Sequence, residues 1–271
     1  MTTTQAPAPT RPRVDTGRRL TFVRALRGEW IKLATLRSTW WSIGIAAALT
    51  IGIAVLIAQA VDMPGFEPIQ AVIIPIQFTM LLAGIIGAIS VTGEYSTGMI
   101  RSTLTANPIR GSVLAAKSIV LAVFLFLSSL VTFALAAVAV SLVVAQRDQS
   151  IDWSDPSMSL LPIVVASLSM AVFALIGVSF GFILRSGAGA IAATVGVLFV
   201  LPTVASFFAV AGEAWAWLVG AATYLPVAAA QSAILPSDGA PLDAPVAFLT
   251  LACWVAGGAL VAWAVLRTRD A

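Results

Sequence analysis

The sequence predicts an all-α polytopic membrane protein with six transmembrane helices, and three observations predict it. Of 271 residues, 59% are hydrophobic and only 10% are charged, against about 25% charged in an ordinary soluble domain. The mean hydropathy is +1.00. Six uncharged stretches are each long enough to cross about 30 Å of hydrocarbon. So few polar side chains could not cover a soluble surface, which excludes a free-standing soluble enzyme.

Two segments precede the first span. Residues 1–19 are rich in Thr, Pro and Arg and predict a disordered cytoplasmic tail. Residues 20–38 predict an amphipathic interfacial helix on the inner leaflet, with Glu29 able to pair with Lys32 one turn later. The alternative is that these residues are only a stop-anchor segment that flanks the first span. The apolar positions of this helix are Phe22, Val23, Leu26, Trp30 and Leu33.

Residues 39–271 are expected to form one six-helix domain. The predicted spans, 21 to 27 residues long, cover residues 40–61, 69–91, 119–145, 160–184, 188–211 and 246–266. Pro75 and Pro202 should kink the second and fifth spans. Small residues at four-residue spacing predict close helix packing. They are Gly44, Ala48 and Gly52, Gly84 and Ala88, and Gly177 and Gly181.

The charges between the spans predict their orientation. With the N-terminus in the cytoplasm, 14 of the 15 basic residues fall inside and only Arg147 falls outside. Eight of the 12 acidic residues fall outside. The excess of basic residues on the cytoplasmic side sets topology in membrane proteins, so both termini should be cytoplasmic.

The segment 214–236 is a further uncharged stretch before the sixth span. A seventh span here would be broken by Pro226 and would place Arg267 outside. We therefore expect an extracellular re-entrant or interfacial helix pair, with Trp215, Trp217 and Tyr224 at headgroup depth. An ordinary extracellular loop helix is the alternative.

The long inner loop after the second span predicts a short helix. Residues 94–106 can form about three turns despite Gly98, and Pro108 prevents simple continuation. From spacing alone, a cytoplasmic connector anchored by Arg110 and Lys117 is the simpler interpretation.

The loop carries a Glu-x-x-x-Gly stretch followed by a Leu, a Pro, a basic residue and a Lys, at Glu94, Gly98, Leu104, Pro108, Arg110 and Lys117. In this order, these positions resemble the pattern of the permeases of ABC type-2 exporters. The stretch 29–33, followed by 36–41, also resembles the family, particularly members from GC-rich bacteria. Residues 224–226 resemble its outer re-entrant region.

The resemblance implies that the inner loop is a coupling helix for a separate ATPase. The implied interface consists of Glu94, Tyr95, Gly98, Met99, Ile100, Arg101, Leu104, Pro108 and Arg110. The implied interfacial helix uses Phe22, Leu26, Glu29, Trp30, Lys32 and Leu33. Two ATPase copies, a second permease chain (identical or related) and membrane lipids are the expected partners, in the cell membrane of a bacterium. The second and fifth spans would line the path, which makes candidates of Gln77, Thr79, Met80, Thr203 and Ser206, although they could equally only pack.

No catalytic or metal site is expected in this chain. It has no His and a single Cys, Cys253, and no Gly-x-x-x-x-Gly-Lys-Ser/Thr phosphate loop. ATP and Mg²⁺ are therefore expected on the partner, with no cofactor on this chain. The net charge of +3 reflects topology and not nucleic-acid binding.

The resemblance implies ATP-driven export, and the uncharged predicted spans favour a lipid-like or amphipathic apolar compound or drug as the substrate. An ion-coupled secondary carrier is the alternative, although such carriers usually need an ionisable side chain within a span. A non-transport membrane protein, including a membrane-embedded enzyme, is a further alternative.

Overall fold

The computed structural model describes residues 21–61, 63, 65–106, 109–210, 212–236 and 239–268. The predicted tail, residues 1–19, lies outside this part of the chain. Every regular element among the described residues is helical. The α-helices are α1 (Phe22–Thr35), α2 (Arg37–Ala60), α3 (Pro68–Ile73), α4 (Ile76–Ser96), α5 (Met99–Ala106), α6 (Arg110–Val144), α7 (Leu160–Leu184), α8 (Gly187–Val195), α9 (Leu201–Ala209), α10 (Ala216–Ala222), α11 (Pro226–Ile234) and α12 (Ala244–Thr268).

Six helical stretches are long and apolar enough to cross a membrane, which confirms the predicted all-helical architecture with six long apolar helices. They are Arg37–Ala60, Pro68–Ser96, Arg110–Arg147, Leu160–Leu184, Gly187–Ala209 and Ala244–Thr268. The largest differences from the predicted ends concern the second and third spans. The second continues to Ser96 and not to residue 91, and the third begins at Arg110 and not at residue 119. Both helices therefore run through charged residues that the predicted spans left out.

Both prolines predicted to kink a span lie at interruptions. Pro75 separates α3 from α4, because its ring removes a backbone donor from the helix. In the fifth span a π-helical segment, Gly196–Val200, lies between α8 and α9 and directly precedes the turn that contains Pro202. The wider π turn is a common way for a helix to absorb an irregularity.

The centre of the bundle is the contact between α4 and α7. A Cβ on Gly87 would lie 2.1 Å from the carbonyl oxygen of Ala174, and one on Gly177 would lie 2.0 Å from that of Gly84. Only glycine allows two helices to approach this closely. On α2, by contrast, a Cβ on Gly44 would meet no atom within 4 Å. The predicted packing residues of the first span, Gly44, Ala48 and Gly52, thus face away from the rest of the described chain.

The bundle has one strongly basic end. It contains α1, α5, the ends of α4, α7 and α12, and the starts of α2 and α6. Among the described residues every Lys and Arg except Arg147 belongs to it. The Arg147 guanidinium donates to the carbonyl oxygens of Ala58 (3.2 Å), Gln59 and Val61 (3.4 Å) at the other end. The one exception to the charge bias therefore caps the C-terminus of α2.

Helices α10 and α11 form a bent pair at the opposite end. They meet at 66°, a geometry that fits either a broken span or a re-entrant loop. Helix α11 is mostly buried and packs against α7 and α12. The indole N–H of Trp254 on α12 donates to the carbonyl oxygen of Tyr224 at 2.9 Å, which fixes the bend against the sixth span.

Candidate functional site

Four charged side chains form a buried cluster at the basic end. Glu29 and Lys32 come from α1, Glu94 from α4 and Lys117 from α6. The Lys117 Nζ lies 2.7 Å from Glu29 Oε2 and 2.8 Å from Glu94 Oε1. The Lys32 Nζ lies 2.7 Å from Glu29 Oε1 and 3.0 Å from Glu94 Oε1. We call these four residues the charge cluster.

Both ammonium groups of the charge cluster use all three of their donors. Lys117 donates its third hydrogen bond to the carbonyl oxygen of Ser90 at 3.3 Å. Lys32 reaches the Thr103 hydroxyl at 3.4 Å and so connects α5 to the cluster. On the acid side, the Glu94 Oε2 atom is buried and has no hydrogen-bond partner among the described residues. The two acids and two bases sum to zero charge, which makes their shared burial tolerable.

Burial is uneven across the charge cluster. The side chains of Glu94 and Lys117 are 5% and 6% exposed, whereas that of Lys32 is 32% exposed. Lys117 therefore has almost no water to replace a lost partner. Lys32 lies at the rim, where solvent screens its charge.

Helix α1 packs on the bundle through Glu29, with apolar contacts from Leu33 and Trp30 beside it. Glu29 is its one buried residue in the described chain, while Phe22 and Trp30 remain exposed. Leu26 and Leu33 are half-buried beside Glu29. The predicted pair of Glu29 with Lys32 forms. The sequence predicted that the apolar stripe would face the membrane, but it did not predict that this pair would face inward against the bundle.

The local environment keeps the α1 charges ionised at neutral pH. Burial alone would raise the pKa of Glu29, but the Lys117 charge and the hydrogen bonds from Lys117 and Lys32 lower it below its ordinary 4.5. Burial alone would lower the pKa of Lys32, but hydrogen bonds to Glu29 and Glu94 raise it above its ordinary 10.5. Each charge therefore stabilises its neighbours in the ionised form.

The inner loop forms two helical segments, whereas the sequence predicted one helix over 94–106. Helix α4 continues to Ser96, so Glu94 belongs to the second span and not to the loop. Gly98 then adopts a φ of 70°, which favours glycine, and α5 begins at Met99. The residue Pro108 of the predicted interface lies outside the described residues.

The members of the predicted interface on α5 face different ways. Ile100 is 3% exposed and packs within the chain, and Leu104 is half-buried. Met99 and Arg101 are exposed. Only the exposed pair is open to a partner in this conformation, while Ile100 holds α5 against the bundle.

Tyr95 and Arg110 contact the ends of other helices. The Arg185 guanidinium lies 5.4 Å from the centre of the Tyr95 ring, within the range of a cation–π contact. Arg110 donates to the carbonyl oxygen of Leu266 at the end of α12. These contacts join the second, third, fourth and sixth spans at the basic end.

Three of the five pathway candidates meet at the opposite end. Gln77, Thr203 and Ser206 line one groove of about 460 Å³ between α4, α9 and the bent pair. Thr79 and Met80 are buried within the chain and do not line it. Thr223 and Gln231, which the sequence analysis did not single out, complete its polar lining.

The charge cluster itself was missed from the sequence. Lys117 was assigned to the membrane surface as an anchor of topology, whereas it is buried between two glutamates. The available signal was the acidic residues: Glu29 and Glu94 are two of only four acidic residues on the side where basic residues prevail. A carboxylate in that position needs a cationic partner.

Among the described residues, no group of three or more His, Cys, Asp or Glu could hold a metal ion. No protein-family model matches the chain, and a search of curated proteins finds no match either.

Proposed function

We propose that this chain is the permease subunit of an ATP-driven ABC exporter, with ATP hydrolysed by a separate partner chain. The motif resemblance in the inner loop and α1 motivates the proposal. The charge cluster supports it most directly. It joins α1 and α5, the two helices that a cytoplasmic partner could contact, to the ends of the second and third spans.

The proposed coupling runs from α5 through the charge cluster. Helix α5 contacts the cluster through Thr103 and Lys32, and α1 contributes two of its four charges. A partner that displaces α5 or α1 must rearrange bonds on Glu94 and Lys117, which lie at the ends of the second and third spans. Coupling of this kind requires the partner to prefer one arrangement over the other.

The exposed side of α5 offers a docking surface beside that route. Met99 and Arg101 are open on it, and Met99 and Ser102 also line a groove of about 470 Å³ between α1, α5 and the start of α6. Lys32 of the charge cluster lines the same groove. A segment inserted there would touch the cluster directly.

The substrate would move along the opposite groove in this proposal. Its lining combines the uncharged polar groups of Gln77, Thr203, Ser206 and Gln231 with apolar side chains. Such a lining suits a neutral or amphipathic compound that brings hydroxyl or amide groups, and it offers no counter-charge to a small ion.

The test is made on the assembled complex purified with its ATPase. Arg101→Glu should reduce substrate-stimulated ATP hydrolysis and transport while membrane abundance stays unchanged. Leu104→Asp should act in the same direction, because it places a charge in the half-buried contact that holds α5 on the bundle. The matched control is Arg37→Glu, the same change at an exposed position of the basic end. Normal coupling in both α5 variants would contradict the proposal, as would ATP hydrolysis by this chain alone.

A secondary carrier remains the second candidate, and one observation favours it. The buried Glu94 Oε2 has no hydrogen-bond partner among the described residues, as a proton-accepting site would require. Against it, two lysines already neutralise the glutamates of the cluster. The chain reconstituted alone in liposomes separates the two proposals: uptake driven by a proton or sodium gradient without ATP supports the carrier.

A further inference from the structure

A second basic site lies at the junction of α6 and α12, outside the charge cluster. Ile109, Arg110, Gly111, Trp263 and Arg267 line a groove of about 480 Å³ there. The Arg267 guanidinium stacks on the Trp263 ring at 4.0 Å from its centre. The groove thus presents two guanidinium groups from two helices, and the stacking holds one of them in a fixed orientation.

The surroundings of the groove add to its positive charge. Arg185 donates to the carbonyl oxygen of Val265 at 3.4 Å, and Arg110 donates to that of Leu266. Three arginines therefore gather around the last turn of α12. Arg267 takes part in no ion pair within the described residues.

The groove opens directly onto the apolar surface of the bundle. Ile109 is exposed at its edge, and Leu260 is exposed on α12. Leu260 lies two helical turns before Arg267, about 10.5 Å along the axis and on the same face. A ligand that fills the groove and extends along α12 therefore needs an anionic head and a hydrocarbon tail.

We propose that this groove binds the headgroup phosphate of an anionic phospholipid in the leaflet at the basic end. The Arg110 and Arg267 guanidiniums contact phosphate oxygens, a pairing that suits their planar donors. The Trp263 ring lies at headgroup depth, where tryptophan is favoured, and the acyl chains follow the exposed face of α12. This site does not depend on the transport proposal.

The test measures lipid binding to the full chain, delipidated in mild detergent, by native mass spectrometry. Phosphatidylglycerol should bind at least about tenfold more tightly than phosphatidylcholine, because the choline charge opposes the arginines. Arg267→Gln should remove about tenfold of the phosphatidylglycerol affinity. Arg267→Lys should retain part of it, because lysine keeps the charge but not the planar stacking.

The matched control is Arg37→Gln, which removes the same charge from an exposed position at the same end. Its phosphatidylglycerol affinity should stay within about twofold of the unmodified chain. An equal loss in the Arg267 and Arg37 variants would reduce the effect to diffuse surface attraction and overturn the proposal. Equal binding of the two lipids would also overturn it.

A further arm separates a lipid headgroup from free phosphate. Millimolar inorganic phosphate should not displace phosphatidylglycerol, because it gains nothing from the apolar surface around Leu260. Displacement by phosphate would overturn the lipid assignment and leave a small-anion site. Each variant should elute from size-exclusion chromatography at the same volume as the unmodified chain, which serves as the control for folding.

Discussion

Replacing Lys117 by methionine should release α1 from the bundle. Methionine keeps the length of the side chain but removes three hydrogen bonds, to Glu29, Glu94 and the Ser90 carbonyl. The two carboxylates are then left with the rim residue Lys32 between them. Removing one partner of a buried ion pair costs about 3–5 kcal/mol, because it leaves an uncompensated charge away from water.

Trypsin cleavage after Arg27 measures this release. Arg27 is exposed in the middle of α1, and cleavage requires the helix to open around it. When opening is fast relative to cleavage, the rate follows the population of the open form. A loss of 3 kcal/mol then predicts cleavage about 100-fold faster than in the unmodified chain.

Lys32→Met is the matched control within the same cluster. Its ammonium is partly in solvent, so we expect a loss of at most about 1 kcal/mol and cleavage no more than about fivefold faster. Adding Glu29→Gln to Lys117→Met should recover most of the protection, because it removes one of the two opposed carboxylates. Equal acceleration in the Lys117 and Lys32 variants, or none in either, would refute the role assigned to burial.

Three further predictions follow from other parts of the structure. In a Cys253→Ser background, a cysteine at Ser150 should react with an impermeant reagent from outside, and one at Thr268 should not. Labelling of position 268 from outside would contradict the six-span topology. Gly177→Ala should lower the thermal unfolding midpoint by an amount equivalent to about 1–3 kcal/mol of overpacking, whereas Gly44→Ala, where nothing lies within 4 Å, should not lower it, because alanine is the better helix former. The pKa of Glu29 is lowered in the folded chain, so its stabilising contribution is present above pH 4.5 and is lost as the pH falls through the lowered pKa. The pKa of Lys32 is raised, so its contribution is present below pH 10.5 and is lost as the pH rises through the raised pKa. Thermal scans from pH 3 to 8 should therefore show a steeper acid loss than in Glu29→Gln, and parallel curves for the two proteins would contradict this.

The six spans could be predicted because an uncharged stretch of about 20 residues is a property of the chain alone. The ends of the second and third spans could not. The prediction stopped both spans short of Glu94 and Lys117, since a single charge in hydrocarbon is expensive. In the folded chain these two residues neutralise each other at 2.8 Å, so both helices continue through them. The partner that removes the cost is 23 residues away in sequence, and spacing within one helix could not reveal it.

The same limit applies to α1. The amphipathic pattern of this helix could be predicted from the sequence, and so could the pair of Glu29 with Lys32 one turn later. Which face would contact the bundle depended on Lys117, 88 residues further along the chain. The pattern predicted a helix lying on the inner leaflet and no buried contact for Glu29, whereas the structure buries Glu29, because two cations meet it there.

The polar groove indicates that one side of this bundle does not face lipid. Gln77 and Gln231 are exposed on helices whose neighbouring surface is apolar. An amide in contact with hydrocarbon loses its hydrogen bonds to water, at a cost of several kcal/mol for each unsatisfied group. The remaining exposed surface of the spans carries Leu, Val, Ile and Phe, which lipid solvates well. The groove side is therefore the side for which we expect a cover of protein or water. In the proposed exporter, the second chain would lie there and close the groove into a path.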